Sequence, residues 1–196
     1  MTKLATKYLR ETLMTAIHTP IELASQFRAA TRADVGAVVA LVESAYRGDA
    51  SRVGWTTEAE ILDGQRTDAD DVSSKIELEH SVVLLAERGG SLGSCAHIMI
   101  EDGTGYFGMF SVSPALQGGG LGKAVLAEAE RIVRDEWKLA VMRMTVIDLR
   151  AELIEFYVRR GYVRTGIKKP FPYGDERFGR PRRDDLQFEV LAKALR

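Results

Sequence analysis

The sequence has very little of what disulfide-linked, metal-binding and membrane-spanning proteins need. Cys95 is the single cysteine in 196 residues, so an internal disulfide framework and a cysteine-rich metal site are excluded. The three histidines, His18, His80 and His97, show no HExxH or similar ligand spacing. No uninterrupted run of about 18 apolar residues occurs, which excludes a transmembrane helix. The sequence therefore predicts a protein with no bound metal and no membrane span.

An excess of charge of one sign is also lacking. The chain has 27 Lys and Arg against 28 Asp and Glu, a formal net charge of −1. This balance gives no electrostatic attraction for nucleic acid or an anionic membrane. Hydrophobic residues make up 45% and charged residues 28%, which is typical of a globular protein with one substantial core. We expect a cytoplasmic protein with neither nucleic acid nor membrane as a partner.

The first residues differ from the rest, and we predict an N-terminal helical extension over residues 1–25 and one domain over residues 26–196. Apolar residues recur in the extension at helical spacing: Leu4, Tyr8, Leu9, Leu13 and Ile17. Three alternatives stay open. The segment could be a weak transit peptide, an extension ahead of a true start at Met14, or a helix packed on the domain or a second subunit.

The pattern of the domain predicts a mixed α/β fold with the element order β-α-α-β-β-β-α-β-α-β-β. A strand near Phe27 leads into a helix over residues 35–46. A second helix is predicted over residues 55–64, followed by a polar loop over residues 68–74. Three strands joined by glycine-rich turns come next, ending near Val112. Two helices and three strands complete the pattern, with a charged, proline-rich loop over residues 168–183.

The most informative segment is Gln117-Gly118-Gly119-Gly120-Leu121-Gly122-Lys123, which follows a predicted strand and opens a helix. The first backbone N–H groups of a helix lack internal partners, and the helix dipole favours an anion there. Glycine lets the backbone approach a ligand closely. Each glycine costs a helix about 1 kcal/mol relative to alanine, and a plain connector would not need three of them. The segment therefore predicts an anion-binding loop.

Two common phosphate-binding loops do not match this segment. The nucleotide P-loop, Gly-x4-Gly-Lys-[Ser/Thr], requires a glycine where the chain has Gln117 and a hydroxyl where it has Ala124. The dinucleotide fingerprint G-x-G-x-x-G places its third glycine on Lys123 or Val125. The loop therefore belongs to another type of anion site.

The segment fits the pattern Gln/Arg-x-x-Gly-x-Gly/Ala and resembles the pyrophosphate loop of the GNAT acyltransferases, which bind acetyl-coenzyme A. Val112-Ser113-Pro114 resembles the strand-to-loop join of that family. Phe156-Tyr157-Val158-Arg159-Arg160-Gly161-Tyr162 is similar to its Tyr-x-x-x-Gly-Phe/Tyr block, and one helix and one strand lie between the two motifs. The resemblance implies a single GNAT-type domain, with a mixed, mostly antiparallel central sheet flanked by helices.

The resemblance also implies a set of residues that bind acetyl-CoA, with no metal. Backbone groups of Phe110, Ser111 and Val112 would pair with pantetheine as an added strand. The loop residues Gln117, Gly118, Gly119, Gly120, Leu121, Gly122 and Lys123 would bind the pyrophosphate. Arg150 stands where many members carry an asparagine. This departure leaves two cofactor roles open: the segment from Arg150 to Ile154 holds the coenzyme arm differently, or Arg150 faces the cofactor phosphates. Capping of a helix is the other role open to Arg150.

Acetyl transfer to an amine requires positioning, removal of a proton, and a proton for the leaving thiolate. Tyr157 is the predicted acid, because a phenol near pKa 10 can assist a thiol near 8.5. Glu101, beside Asp102, is the candidate general base, with a solvated turn as the alternative. Cys95 and His97 lie two residues apart on one strand face. We favour structural roles for this pair over a nucleophilic one.

Candidate acceptor-binding residues fall in two loop regions rich in aromatic and charged side chains. Tyr46, Arg47 and Trp55 belong to the first, and Phe171 and Tyr173 to the second. We predict an acetyl-CoA-dependent N-acetyltransferase that acts on a small-molecule primary amine in a ternary complex. A protein amino-group acetyltransferase and a non-catalytic acyl-CoA sensor are the alternatives, and a homodimer is possible.

Overall fold

The structure is a computed structural model that describes residues 25–47, 51, 52, 54, 57–176 and 179–196. The N-terminal extension expected over residues 1–25 lies outside these ranges apart from its last residue, as does Trp55. Across the described ranges, no helix is both long and apolar enough to cross a membrane.

In these ranges the chain forms nine strands and four α-helices. The strands are β1 (Gln26–Ala29), β2 (Leu62–Asp63), β3 (Ser81–Arg88), β4 (Ser91–Glu101), β5 (Thr104–Val112), β6 (Val141–Ile147), β7 (Val163–Pro170), β8 (Arg180–Pro181) and β9 (Gln187–Ala194). The helices are α1 (Val35–Tyr46), α2 (Ala69–Glu77), α3 (Leu121–Arg131) and α4 (Ala151–Val158). A π-helical segment, Ile132–Glu136, continues α3.

Seven of the strands form one sheet in the order β1-β3-β4-β5-β6-β9-β7, and β2 pairs separately with β8. Strands β5 and β6 are parallel, whereas the other neighbours in the large sheet are antiparallel. The predicted mixed, mostly antiparallel sheet flanked by helices is therefore confirmed.

The core lies on both faces of the sheet. In β3, Val83 and Leu85 pack in the cluster that contains residues of α1, whereas Leu84 and Ala86 pack in the cluster that contains residues of α3 and α4. Successive strand residues point to opposite faces, so an unbroken apolar run such as this one requires helices on both sides. Helix α1 spans the residues predicted for it, Val35–Tyr46.

The second helix was predicted in the wrong place. Residues 57–63 form turns and β2, and α2 occupies the segment that was expected to be a polar loop. The carboxylate of Asp68 accepts a hydrogen bond from the Asp71 amide at 2.8 Å, which caps α2. Val72 is its one buried residue, so a polar composition is compatible with a helix that covers the sheet with a single side chain.

A bulge in β5 bends the strand beside the site. Cys95 pairs with Ser111 and His97 with Gly108, so two residues of β5 oppose one residue of β4. One of the two, Met109, has a φ of +44°. Strands β5 and β6 pair only at Gly105–Met142 and Tyr106–Arg143 and then diverge. The divergence opens the centre of the sheet and positions the site described next.

Candidate active site

Two pockets adjoin the opening between β5 and β6, one lined by the glycine loop and the other by charged and aromatic side chains. Phe110, at the bulge, lines both. We call them the loop cleft and the inner cavity.

The loop cleft lies where β5 ends and α3 begins. Gly118 and Gly120 have φ angles of +82° and +79°, a region that favours glycine, and Gly120 is the N-cap of α3. A Cβ atom on Gly122 would lie 3.1 Å from Phe110 Cζ and 3.3 Å from Val112 Cγ2, so its absence lets the helix approach β5. The backbone N–H groups at the start of α3, together with the side chains of Lys123 and Arg160, suit a phosphate group.

The side chains of the loop cleft match most, though not all, of the predicted cofactor residues. Its lining comprises Phe110, Val112, Leu116, Gln117, Gly118, Gly120, Gly122, Lys123, Phe156 and Arg160. Gln117 donates a hydrogen bond from Nε2 to the Val112 carbonyl at 3.2 Å. Three predicted residues do not line the cleft: Leu121, Ser111 and Gly119. The side chain of Leu121 lies in the core, and that of Ser111 is buried. Only backbone groups of these three residues could take part in cofactor binding.

The inner cavity lies on the other side of Phe110 and has a volume of about 80 Å³. Polar and charged residues line one part of it: Tyr46, Glu58, Arg66, Thr145, Arg150 and Tyr157. Apolar residues line most of the remainder: Leu62, Phe107, Met109, Phe110, Met144, Val146, Ile147, Leu153, Phe171 and Phe188. The Tyr46 hydroxyl donates a hydrogen bond to the Phe110 carbonyl, which ties α1 to the bulge.

Glu58 is the centre of a cluster of buried charges at the cavity. Its Oε2 accepts a hydrogen bond from Arg47 Nη1 at 2.7 Å, and its Oε1 accepts one from Arg150 Nη1 at 3.0 Å. Arg66 Nε lies 3.8 Å from Oε2. Burial raises the pKa of a carboxyl group, but the attraction of Arg150, Arg66 and Arg47 outweighs it and lowers the pKa of Glu58. Glu58 is therefore a carboxylate at neutral pH.

Two of these arginines also contact the ring of Tyr46. The Arg66 and Arg150 guanidinium carbons lie 5.4 and 5.7 Å from the ring centroid, distances at which a cation is attracted to an aromatic face. Arg150 therefore lies at the inner cavity, and it does not line the loop cleft where a cofactor role would place it. Its ion pair with Glu58 takes the side chain towards the inner cavity.

Tyr157 is a buried member of an aromatic cluster at the cavity, with 4% of its surface exposed. Its ring makes edge contacts with Phe156 at 5.2 Å and Phe107 at 6.4 Å between centroids. Desolvation raises the pKa of Tyr157 far above the usual value for a phenol. The hydroxyl therefore stays protonated, as a proton donor to a thiolate requires.

The remaining predicted site residues do not all come together. Phe171 lines the cavity, and Tyr173 lies behind it, with ring centroids 5.2 Å apart. Arg47 is buried against Glu58 and lines no part of the cavity. Glu101 is exposed at the turn between β4 and β5, opposite Thr104, and is not a cavity residue. The structure thus gives Glu101 no contact with the site.

Cys95 and His97 have structural surroundings. Cys95 is fully buried, and burial raises the pKa of its thiol to about 12. His97 Nε2 lies 2.8 Å from the Ser81 hydroxyl, and desolvation together with Lys75 lowers the pKa of His97 to about 4. Neither is poised as a nucleophile. Among the residues that the structure describes, no group of three or more His, Cys, Asp or Glu side chains could hold a metal ion.

Sequence reasoning missed the full role of Glu58 and all of Arg66. Glu58 was not among the predicted site residues, and nothing in the sequence indicated that it would meet Arg150, 92 positions further along the chain. Arg66 carries no local signal. Its backbone amide donates a hydrogen bond to Glu43 on α1, which fixes the segment beside the cavity.

A mixed sheet whose central parallel pair diverges beside a glycine loop defines an acyltransferase-type fold. The Acetyltransferase (GNAT) family model matches residues 40–162, and the chain belongs to this family. Its members are acetyl-CoA-dependent acyltransferases, so the predicted class of enzyme is confirmed.

Solved structures of N-acetyltransferases share the fold. The ribosomal-protein-S18-alanine N-acetyltransferase of Escherichia coli has a TM-score of 0.65 at 14% identity, over 88% of this chain and 94% of that one. An acetyltransferase-like protein of Salmonella typhimurium, solved with its cofactor acetyl-CoA, has a TM-score of 0.63 at 24% identity, over 88% and 95%. Nourseothricin acetyltransferase has a TM-score of 0.62 at 15% identity, over 88% of this chain and 99% of that one. No curated protein matches the chain.

Proposed function

We propose that this protein transfers the acetyl group of acetyl-CoA to a primary amine on a small molecule, by direct attack in a ternary complex. The carrying observation is that the divergence of β5 and β6 separates an anion-binding cleft from a charged inner cavity, with Tyr157 at the cavity wall. Acetyl-CoA would enter from the loop cleft, and the amine would enter the inner cavity. A homodimer and a cytoplasmic location stay predictions.

The cofactor half of the proposal rests on the backbone. Bound acetyl-CoA would supply an acyl group that is already activated as a thioester. The start of α3, with Lys123 and Arg160 nearby, would bind the pyrophosphate. The edge of β5 beyond Tyr106 has no parallel partner in β6, so pantetheine could pair with it. Gln117 covers the Val112 carbonyl and would have to release it.

The chemistry follows from the cavity. Tyr157 is protonated and would donate its proton to the departing thiolate. Direct attack by the amine is favoured over a covalent acyl-enzyme, because the thiol of Cys95 is buried and protonated. The lining carboxylate, Glu58, has a lowered pKa and both oxygens engaged by arginines, which makes it a poor base. We therefore propose that the proton of the amine leaves through water.

The cofactor assignment predicts that acetyl-CoA stabilises the protein against heat. At about 100 times its Kd, a ligand adds about 2.7 kcal/mol to the free energy of unfolding. We expect thermal unfolding to shift upward with acetyl-CoA and not with NADH or ATP. An amine screen with detection of free thiol would then follow. Stabilisation by acetyl-CoA with no turnover on any amine would favour the sensor, and the absence of any shift would contradict cofactor binding.

The loop cleft predicts a matched pair of glycine variants. Gly118 and Gly120 have positive φ and open space around them, and so do Gly89 and Gly90 in the turn between β3 and β4. Both double alanine variants should lose similar stability, at about 1–2 kcal/mol for each alanine in a left-handed conformation. Only Gly118→Ala with Gly120→Ala places methyl groups at the cleft.

For this pair the measurement is the Kd for acetyl-CoA, by calorimetry. We expect Gly118→Ala/Gly120→Ala to raise the Kd by about 100-fold, which corresponds to the loss of one or two charge-assisted hydrogen bonds. The Gly89→Ala/Gly90→Ala control should keep the wild-type Kd. Equal Kd values for the two double variants would remove the loop from the cofactor site.

A further inference from the structure

Glu58 does not hold its three neighbouring arginines equally. Its two carboxylate oxygens accept hydrogen bonds from Arg47 and Arg150, with N–O distances of 2.7 and 3.0 Å. The Nε atom of Arg66 lies 3.8 Å from the Oε2 atom of Glu58. The side chains of Arg47, Arg150 and Glu58 are 7 to 10% exposed and that of Arg66 is 28% exposed. Within the described residues, one carboxylate faces three guanidinium groups, and Arg66 is the one that it does not hold at hydrogen-bond distance.

Arg66 brings its positive charge to the cavity. Besides the long contact with Glu58, its guanidinium group has no ion pair or hydrogen bond within the part of the chain that the structure describes. Asp71, which lines the adjoining pocket, does not neutralise it, because its carboxylate binds Lys75 and the Thr67 hydroxyl. Largely buried charges in proteins are normally paired, so a cation of this kind at a cavity indicates an anionic ligand group.

The coenzyme is not the source of that negative charge. Its pyrophosphate belongs at the loop cleft, and of the residues that line that cleft only Phe110 also lines the inner cavity. The Arg66 guanidinium group lies at the inner cavity, where the amine would enter. We therefore expect the anionic group to be part of the acceptor.

We propose that the acceptor is a small amino acid-like molecule whose carboxylate is bound by Arg66, beside Arg150; this assignment rests on the proposed function. A guanidinium group presents a planar fork of N–H donors that matches the two oxygens of a carboxylate. Part of the cavity wall is apolar, with Leu62, Ile147, Phe171 and Phe188. An apolar amino acid fits this combination of charge and wall.

The test uses pairs of acceptors that differ only in the carboxylate, such as leucine with isopentylamine and phenylalanine with phenethylamine. Initial rates of thiol release are measured at saturating acetyl-CoA for the full-length chain. We expect the wild type to show a kcat/KM about 10- to 100-fold higher for the carboxylated member of a pair, the range for a hydrogen-bonded charge contact. Arg66→Gln should remove this preference by raising KM for the amino acid much more than for the plain amine.

Two further variants keep the result interpretable. Arg66→Lys retains the charge without the fork and should give an intermediate preference. Arg134→Gln removes an exposed arginine that pairs with its neighbour Asp135, and it should keep the wild-type preference. Thermal unfolding of each variant shows that it is folded. Equal losses for both acceptors in Arg66→Gln, or a wild-type preference for the plain amines, would overturn the proposal.

The same experiments separate this inference from the proposed function. If amines without a carboxylate, or peptides with a free amino terminus, are acetylated best, the N-acetyltransferase stands and the carboxylate site falls. If no acceptor turns over, thermal unfolding with coenzyme A and each amino acid gives the answer. The absence of stabilisation by every amino acid would overturn the carboxylate site. The absence of any shift with acetyl-CoA would overturn the proposed function itself.

Discussion

Replacement of Glu58 by glutamine is expected to lower the free energy of unfolding by about 3–5 kcal/mol, the usual cost of removing one partner from a buried ion pair. The substitution preserves shape but leaves Arg47, Arg150 and Arg66 around a neutral amide. The carboxylate charge of Glu58 then no longer offsets the repulsion between the three guanidinium groups. Urea denaturation of wild type and variant at pH 7 measures the difference.

The effect should depend on pH in a direction fixed by the lowered pKa of Glu58. A carboxyl group with a lower pKa in the folded state stabilises the protein above its unfolded value, which is about 4.3. This contribution declines as the pH falls below that value towards the folded pKa. The gap between wild type and Glu58→Gln should therefore be full at pH 7 and narrow below pH 4.3.

Glu155→Gln is the matched control. Glu155 forms an i,i+4 ion pair with Arg159 at 3.5 Å, with both side chains more than 60% exposed. Pairs of this kind contribute about 0–1 kcal/mol, so the control should unfold almost as the wild type does. Similar stability for Glu58→Gln and Glu155→Gln would show that the buried cluster is not a structural centre.

Tyr157→Phe is expected to lower kcat by about 100-fold, since a positioned general acid contributes about 10²- to 10⁴-fold. The substitution removes the hydroxyl and keeps the ring in the aromatic cluster with Phe107 and Phe156. The Kd for acetyl-CoA should remain unchanged, because Tyr157 does not line the loop cleft. Turnover and calorimetry on the same preparation separate the two quantities.

The control for this variant is Tyr162→Phe. Tyr162 is buried in the same cluster, with its ring centroid 5.8 Å from that of Tyr157, and it lines neither the inner cavity nor the loop cleft. Loss of its hydroxyl should leave kcat at the wild-type level. An unchanged kcat in Tyr157→Phe, or an equal loss in both variants, would remove Tyr157 from its role as the acid.

Local patterns were sufficient for much of the fold. The run from Val35 to Tyr46 has caps and apolar spacing that define α1, and alternation along β3 fixes which side chains meet which helix layer. The helix at α2 was missed because its stability comes from the Asp68 cap and a single buried side chain, Val72. Such a helix looks like a loop when apolar periodicity is the criterion.

The candidate site likewise has features that the sequence predicted and features that it did not. The glycine loop could be identified from the sequence because its function depends on consecutive backbone groups, whose conformation the glycines of one short segment decide. The placement of Arg150 could not be predicted from the sequence, because a side chain several bonds long can turn to either side of the opening between β5 and β6. Its ion pair with Glu58 decides the direction. The exposed position of Glu101 likewise depends on where the hairpin turn falls relative to the bulge.

The sequence by itself determined the class of fold, the glycine loop and the candidate acid, Tyr157, because these depend on spacing within short segments. Only the tertiary structure brought Arg150 to Glu58 and Arg66 beside the ring of Tyr46. Charge pairing acts through space over a few ångströms, whereas Arg150 lies 92 positions from Glu58 along the chain. The charge of the inner cavity is therefore decided by packing, and it is there that the specificity of the enzyme should be tested.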